Sequence, residues 1–274
     1  MANPQAMFGW PMYSDPGVTY TPALSGGSWL SALPLANLLD RRLSRIARST
    51  NALTTSTTFD IDLGVARTVF MLALVKHTIT RTATVRWRAS NTAGNFASPL
   101  HDSTALVVGP VGATDEDMAG INATNVYVIA SGQSARYWRC DIADTGNAAG
   151  RVDIGRVALT GAWSPTTGMQ TGAKLGFDDS TERLVTDGGA ALYRPRAIRR
   201  TWDFSVSWLQ EAEAFANACK MQRQLGSSGQ LLFVFDRSDT YMHERAMLCV
   251  MEQLSAIEFS QASYHSLAFR LSEE

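Results

Sequence analysis

Lysine is nearly absent from this chain of 274 residues: Lys76, Lys174 and Lys220 are the whole set, so arginine supplies almost all of the positive charge. Lysine and arginine together number 24 against 25 acidic residues, a net charge of -1. Without an overall basic surface there is nothing to hold a nucleic-acid backbone by counterion release, which argues against general nucleic-acid binding. Long apolar runs are missing too. Val69 to Val75 and Leu231 to Phe235 are strand-sized, far short of the roughly 20 residues of a membrane helix, so no membrane insertion is expected. Cysteine is scarce. Cys140, Cys219 and Cys249 form no CxxC pair and have no nearby histidine, and they read as buried thiols, with Cys219 on the apolar side of a predicted helix. The opening MANPQAMFGWPMYSDPG lacks the basic start and apolar stretch of a secretory signal, so synthesis and retention in a cytoplasm are expected.

Chemical signatures are equally thin. A nucleophile elbow needs G-x-S-x-G, and the nearest stretch, Gly132 to Arg136 around Ser134, lacks the second glycine. Neither a phosphate-cradling GxxxxGK nor a dinucleotide GxGxxG is present. His77, His101, His243 and His265 stand singly without ligand spacing. The acidic run Asp115, Glu116, Asp117, with Asp102 as a neighbour, could offer carboxylates to calcium, but it lacks the D-x-D-x-D-G spacing and reads as a solvated loop. Asn122 heads a glycosylation sequon that a chain without a signal would not present for modification. Trp87, Trp138 and Trp163 could stack on sugar rings, although Trp87 falls on the apolar side of its strand and so reads as core. A glycan-degrading enzyme would need two carboxylates about 5 to 9.5 Å apart, which spacing in sequence cannot locate. No catalytic, cofactor, metal or ligand-binding residue is therefore assigned, and the chain is not expected to be an enzyme.

What the sequence does have is strand patterning. Residues 1–30 are punctuated by Trp10, Pro11, Pro16, Gly17, Pro22, Gly26 and Gly27, and read as an arm or an irregular strand. Leu35, Leu38, Leu39, Leu43 and Ile46 follow a helical spacing, which predicts a helix over 35–46. The period then changes to two: Phe59, Ile61 and Leu63 alternate with aspartates, Val69 to Val75 is a buried-strand run, and Val85, Trp87 and Ala89 alternate with arginines and threonine. Further strands are predicted at Val126 to Ala130, Arg136 to Ile142 and Val152 to Thr160, after a loop-rich stretch from Ser90 to Thr124. Short strands without intervening helices predict a mainly β protein with an antiparallel β-sandwich over 31–163. Residues 164–192, rich in Gly, Thr, Ser and Asp, read as a linker or domain crossing. Beyond it, Trp202, Phe204, Val206 and Trp208 alternate with polar residues, a helix is predicted from Leu209 to Leu225, and strands follow at 231–235, 246–254, 257–260 and 264–271. Residues 193–274 thus form an α+β domain braced by one helix.

Two segments resemble known families. The stretch LPLANLLDRRLSRIARSTNALTTSTTFDIDLGVARTVFMLALVKHTITRTATVRWRAS, with its D-L-G strand end and R-W-R-A-S run, is similar to the opening of a discoidin-like, galactose-binding-like jelly roll, and YWRCDIAD and GRVDIGRVALTGAW resemble its closing strand pair. The tail from Tyr193 to Glu274, with R-R-x-W-D-F-S-V, a helix opening E-A-E-A-F, L-L-F-V-F-D and Y-H-S-L-A-F-R-L-S-E-E, resembles the tail-tube-type fold of long-tailed bacteriophages. Together they resemble a minor or distal tail protein. That resemblance implies a homo-oligomeric ring, commonly a hexamer, joining the tail tube to tip or hub proteins of a virion assembled in the host cytoplasm. Such proteins usually carry the ring domain first, whereas here the sandwich precedes it; the N-terminal arm would then supply a strand to the C-terminal domain, making the sandwich an insertion. The alternative implied by the first segment is an adhesin that holds a host glycan through loops around Asn91 to Asp102 and Gly109 to Gly120.

Overall fold

A computed structural model describes residues 5–15, 20–109, 123–167, 169–237, 241–261 and 263–274. In chain order the strands are β1 (Met7–Gly9), β2 (Ala23–Ser25), β3 (Ala47–Arg48), β4 (Phe59–His77), β5 (Thr84–Ser90), β6 (His101–Asp102), β7 (Leu106–Val107), β8 (Thr124–Ala143) and β9 (Asp153–Thr160). They continue with β10 (Lys174–Asp178), β11 (Glu182–Val185), β12 (Ala191–Arg194), β13 (Arg199–Gln210), β14 (Leu231–Val234), β15 (Ala246–Met251), β16 (Glu258–Gln261) and β17 (Tyr264–Glu273). Every pairing between them is antiparallel, and the protein is mainly β.

The first sheet has the order β3-β9-β4-β8-β5-β6, with β2 added to β4 and β7 to β5. It closes over a core that includes Phe59, Leu72, Leu74, Trp87, Trp138 and Leu159, which makes it a β-sandwich. The runs at 59–63 and 69–75, separate in sequence pattern, are one strand. Gly64, at φ +77, lets β4 turn there, and the register against β8 breaks between Asp62 and Arg67. Its first half alternates because Asp60 and Asp62 face outward. Its second half is continuously buried from Met71 to Val75 because Leu72 and Leu74 fill the sandwich while Met71, Ala73 and Val75 point the other way, into a second apolar layer.

That layer joins the two halves of the molecule. Met71, Ala73, Val75 and Ala158 of the sandwich pack against Leu232, Val234, Ala246 and Leu248, the outer face of the second sheet. The second sheet runs β1-β14-β15-β17-β13-β10, with β16 added beside β17. Its other face carries Trp202, Phe204, Phe233 and Phe269 and is covered by the helix. This helix consists of an α turn (Glu211–Glu213), a π-helical stretch (Ala214–Cys219) and an α-helical end (Lys220–Leu225), stopped by Gly226 at φ +57. Ala214, Ala218 and Met221 are buried, whereas Phe215 is largely exposed and Cys219 only partly covered; the wider turn of the π segment moves the buried stripe off Phe215 and Cys219.

Besides the predicted strands at 126–130 and 136–142, which merge into β8 as those at 59–63 and 69–75 merge into β4, the structure differs from the sequence reading in two further elements. The helix expected over 35–46 is a single 3-10 turn, Leu35–Leu39. Asp40 ends it: its carboxylate accepts the backbone N–H of Arg42 at 2.9 Å and pairs with the Arg42 side chain, so the chain turns instead of coiling on. The segment 164–192, expected as a linker, contains the edge strand β10 and the β11–β12 hairpin; its glycines and threonines serve turns between short strands. The arm is divided. Met7–Gly9 joins β14 of the second sheet, and Ala23–Ser25 joins β4 of the first.

Candidate functional site

The three tryptophans considered for sugar stacking are core residues: Trp87 and Trp138 are fully buried in the sandwich, and Trp163 stacks on Phe8 at 4.9 Å with its indole N–H donated to Glu213. Asp115, Glu116, Asp117 and Asn122 lie outside the described residues. Asp102 is committed to Arg86, whose hydrogen bonds hold its carboxyl well below the usual carboxylate range. It belongs to a ladder on the outer face of the sandwich, with Asp60–Arg139 at 2.5 Å, Asp62–Arg136 at 2.7 Å and Asp141–Arg88 at 2.7 Å. Cross-strand neighbours of opposite charge support this ladder: Asp60 faces Arg139, Arg86 faces Asp141 and Arg88 faces Asp102 in register, and the like-charged neighbours Arg88 and Arg139 each take a carboxylate of their own, Asp141 and Asp60.

The loop Asn91 to Asp102 is drawn onto that ladder. Phe96 is buried beneath the guanidinium groups of Arg139 and Arg88, 4.4 and 5.9 Å from its ring, and its carbonyl accepts a bond from Arg88. Ser134 pairs with Thr68 in the β4–β8 ladder. Burial pushes the thiols of Cys140 and Cys249 well above their ordinary value. Among the described residues no cluster of three or more His, Cys, Asp or Glu could hold a metal ion.

The recess of the sandwich lies at the end where β4 gives way to β5. A cavity of about 460 Å³ is lined there by His77, Thr78, Ile79, Thr80, Arg81, Thr82, Val108, Ala123 and Gly146. Val108 and Ala123 flank the second loop expected to hold glycan, whereas Asn91 to Asp102 does not line it. The turn 78–83 is held from below. Asp144, buried, accepts the Thr80 hydroxyl and the Thr80 N–H, and Asn147 donates to both Asp144 and the Thr78 carbonyl, at 2.8 and 3.0 Å. Thr78 Oγ1 accepts the N–H of Asp153 at 2.9 Å, and the Arg81 carbonyl accepts the N–H of Gly109. The cavity wall is thus a threonine turn fixed to two neighbouring loops, with Thr82 exposed at the rim and Ile79 and Val108 supplying apolar surface.

His77 closes one side. Its Nδ1 accepts the N–H of Ile79 at 3.3 Å, which leaves the neutral tautomer with Nε2–H as a donor. Burial lowers its pKa from 6.5 to about 4, against a smaller opposing pull from Asp144. A histidine that is harder to protonate folded than unfolded contributes stability that is complete above pH 6.5 and lost as pH falls from 6.5 to about 4. We expect unfolding free energy in urea to fall by about 1–2 kcal/mol across that window, the ring being partly exposed. His77→Gln should flatten the profile; an equal slope in the variant would remove His77 as its source.

A second depression of about 680 Å³ lies on the outer face of β13 and β17, floored by the small side chains Ser205, Ser207, Ser266 and Ala268 and walled by Gln170 and the segment Gln253 to Glu258.

No protein-family model matches the chain, and no curated protein is significantly similar to it. Solved structures are similar over about half of it. A family 89 glycoside hydrolase from Clostridium perfringens in complex with PUGNAc matches at a TM-score of 0.39 and 15% identity, covering 55% of this chain and 14% of that one. CBM32-1 from a family 31 glycoside hydrolase of Clostridium perfringens matches at 0.38 and 12%, over 53% of this chain and 98% of that one. The lectin domain of lectinolysin complexed with Lewis B antigen matches at 0.39 and 12%, over 55% and 96%.

Proposed function

We propose that the sandwich is a carbohydrate-binding module that holds a neutral sugar in the cavity between His77 and Ala123. The observation that carries this is the character of its wall: threonine hydroxyls, the Nε2–H of a neutral histidine and apolar patches from Ile79 and Val108. Sugars present that mixture of hydroxyls and C–H faces. No described lining residue carries a carboxylate, Arg81 on the wall is already engaged by a partner, and Asp144 beneath the wall is occupied by Thr80 and Asn147, which disfavours a cationic ligand and suits a neutral one. The test is calorimetric titration with a panel of neutral mono- and disaccharides. A ligand should emerge for the native chain, and Ala123→Trp, which fills the cavity from its rim, should weaken it at least tenfold. Binding that is unchanged in this variant, or absent across the panel, would overturn the proposal.

A second reading concerns the other domain, and the hairpin β11–β12 favours it. All eight of its strand residues are exposed, a form that suits a subunit of an assembly such as a bacteriophage tail tip or baseplate ring. In that reading the sandwich is carried outward on the assembly and displays its sugar site.

A further inference from the structure

We propose that the β11–β12 hairpin is an arm that docks on the far end of β13 in a second copy of this chain. The hairpin has apolar side chains on both faces: Leu184 pairs with Leu192 on one, and Val185 and Tyr193 lie on the other. Leu184, Leu192 and Tyr193 are 65%, 58% and 63% exposed. A two-stranded hairpin alone in water is marginally stable, and one with two uncovered apolar faces calls for cover on both.

The same domain offers an aromatic corner that is open on both faces. On one, Trp208, at φ +63 in the bulge of β13, meets Tyr264 edge-on at 5.8 Å. On the other, the exposed rings of Phe259 and Phe215 flank His265 at 4.7 and 5.8 Å. His265 is 2% exposed, and neither ring nitrogen has a hydrogen-bond partner. Charge is complementary as well. Arg183 on the arm forms no ion pair among the described residues, and Glu211 and Glu258 stand at the corner. The serine-floored depression on β13 and β17 begins beside Glu258 and Ser266 and gives one face of the arm a surface of small side chains to lie on.

Topology makes the contact intermolecular. β10 pairs with β13 so that Asp178 faces Arg199, and the arm leaves the sheet at that end. The corner is at the opposite end, where Gln210 faces Tyr264, about 30 Å along the strand. An arm rooted at the end of the sheet opposite its own corner is placed to meet the corner of a neighbour, a head-to-tail contact that builds rings or filaments. This deepens the assembly reading and is independent of sugar binding.

The test is light scattering coupled to size exclusion over a concentration series. The native chain should form species larger than a dimer. Leu184→Asp with Leu192→Asp, and separately Trp208→Asp with Phe259→Asp, should each give a monomer of 29.8 kDa. An equimolar mixture of the two variants, one with an intact corner and the other with an intact arm, should give a dimer and nothing larger. A native chain that assembles while either variant still assembles would overturn this contact and spare the assembly reading. A native chain monomeric at every concentration would overturn both, and a mixture that stays monomeric would overturn the pairing of arm with corner.

Discussion

Replacing Glu273 with alanine should lower the unfolding free energy by about 3–5 kcal/mol, the cost of leaving a buried charge without its partner. Arg200 and Glu273 are 2% exposed and face each other at the end of the β13–β17 ladder, where Thr201 pairs with Ser272. The guanidinium is almost fully satisfied: Nε donates to Glu273 Oε2 at 3.0 Å, Nη2 to Oε1, and Nη1 to the carbonyls of Glu244 and His243 at 2.7 and 3.3 Å. The same Oε2 accepts the Arg200 N–H at 3.0 Å. Alanine removes every carboxylate contact and leaves two carbonyls to neutralise a cation out of water. The pair itself adds little over a hydrophobic pair, since both ions must be desolvated, so Arg200→Met combined with Glu273→Leu should recover most of the loss. Urea unfolding checks both. A loss under about 1 kcal/mol for the single variant, or a double variant no better than the single, would refute this account.

This ion pair marks where sequence patterning was legible and where it was not. Arg200 continues the inward parity of Trp202, Phe204 and Val206, and Glu273 that of Leu267, Phe269 and Leu271, so the alternation that predicts both strands also places both charges inside. Their meeting depends on register, which alternation leaves open. The long central strands β4, β5, β8, β9, β13, β14, β15 and β17 and the helix up to Leu225 follow from periodicity, whereas the short strands β1, β2, β3, β6, β7 and β10 are too brief to show a period. The continuous run at Val69 to Val75 announces burial on both faces, but not that the second face meets another domain. The 35–46 segment misled because its leucine spacing is helical while Asp40, one turn in, competes for the backbone. The candidate site was the least legible. The turn 78–83 reads as T-I-T-R-T-A, without any catalytic or metal signature, and its shape comes from Asp144 and Asn147, more than sixty residues away. The tryptophans that suggested sugar stacking were spent on the core, as their place in the strand alternation implied for Trp87.

Phe8→Ala should cost about 3–5 kcal/mol, as large a loss as any single truncation in the second domain, although Phe8 lies in an arm of irregular sequence. The ring is fully buried and stacks on Trp163 at 4.9 Å, with Phe269, Phe233 and Phe204 at 5.0, 5.4 and 6.0 Å. Its backbone is held from both sides. Phe8 is opposite Phe233 in the β1–β14 pairing, and it exchanges hydrogen bonds with Trp163 at 2.8 and 2.9 Å. Met7 next to it turns the other way, into the layer between the domains, so this three-residue strand contributes to two cores at once. Gly9 completes it, since a Cβ there would sit 2.6 Å from Met71 Cε and 2.9 Å from Leu232 Cβ. The layers close only because the last residue of the strand has no side chain. Phe8→Leu keeps most of the volume and should cost under about 1.5 kcal/mol, which separates lost packing from lost strand pairing. A chain lacking residues 1–9 should lose more than Phe8→Ala, because β14 then becomes an uncovered edge that invites pairing with other chains. If that shortened chain unfolded in urea at the same midpoint as the whole protein, the arm would be an ornament on the second domain rather than one of its strands.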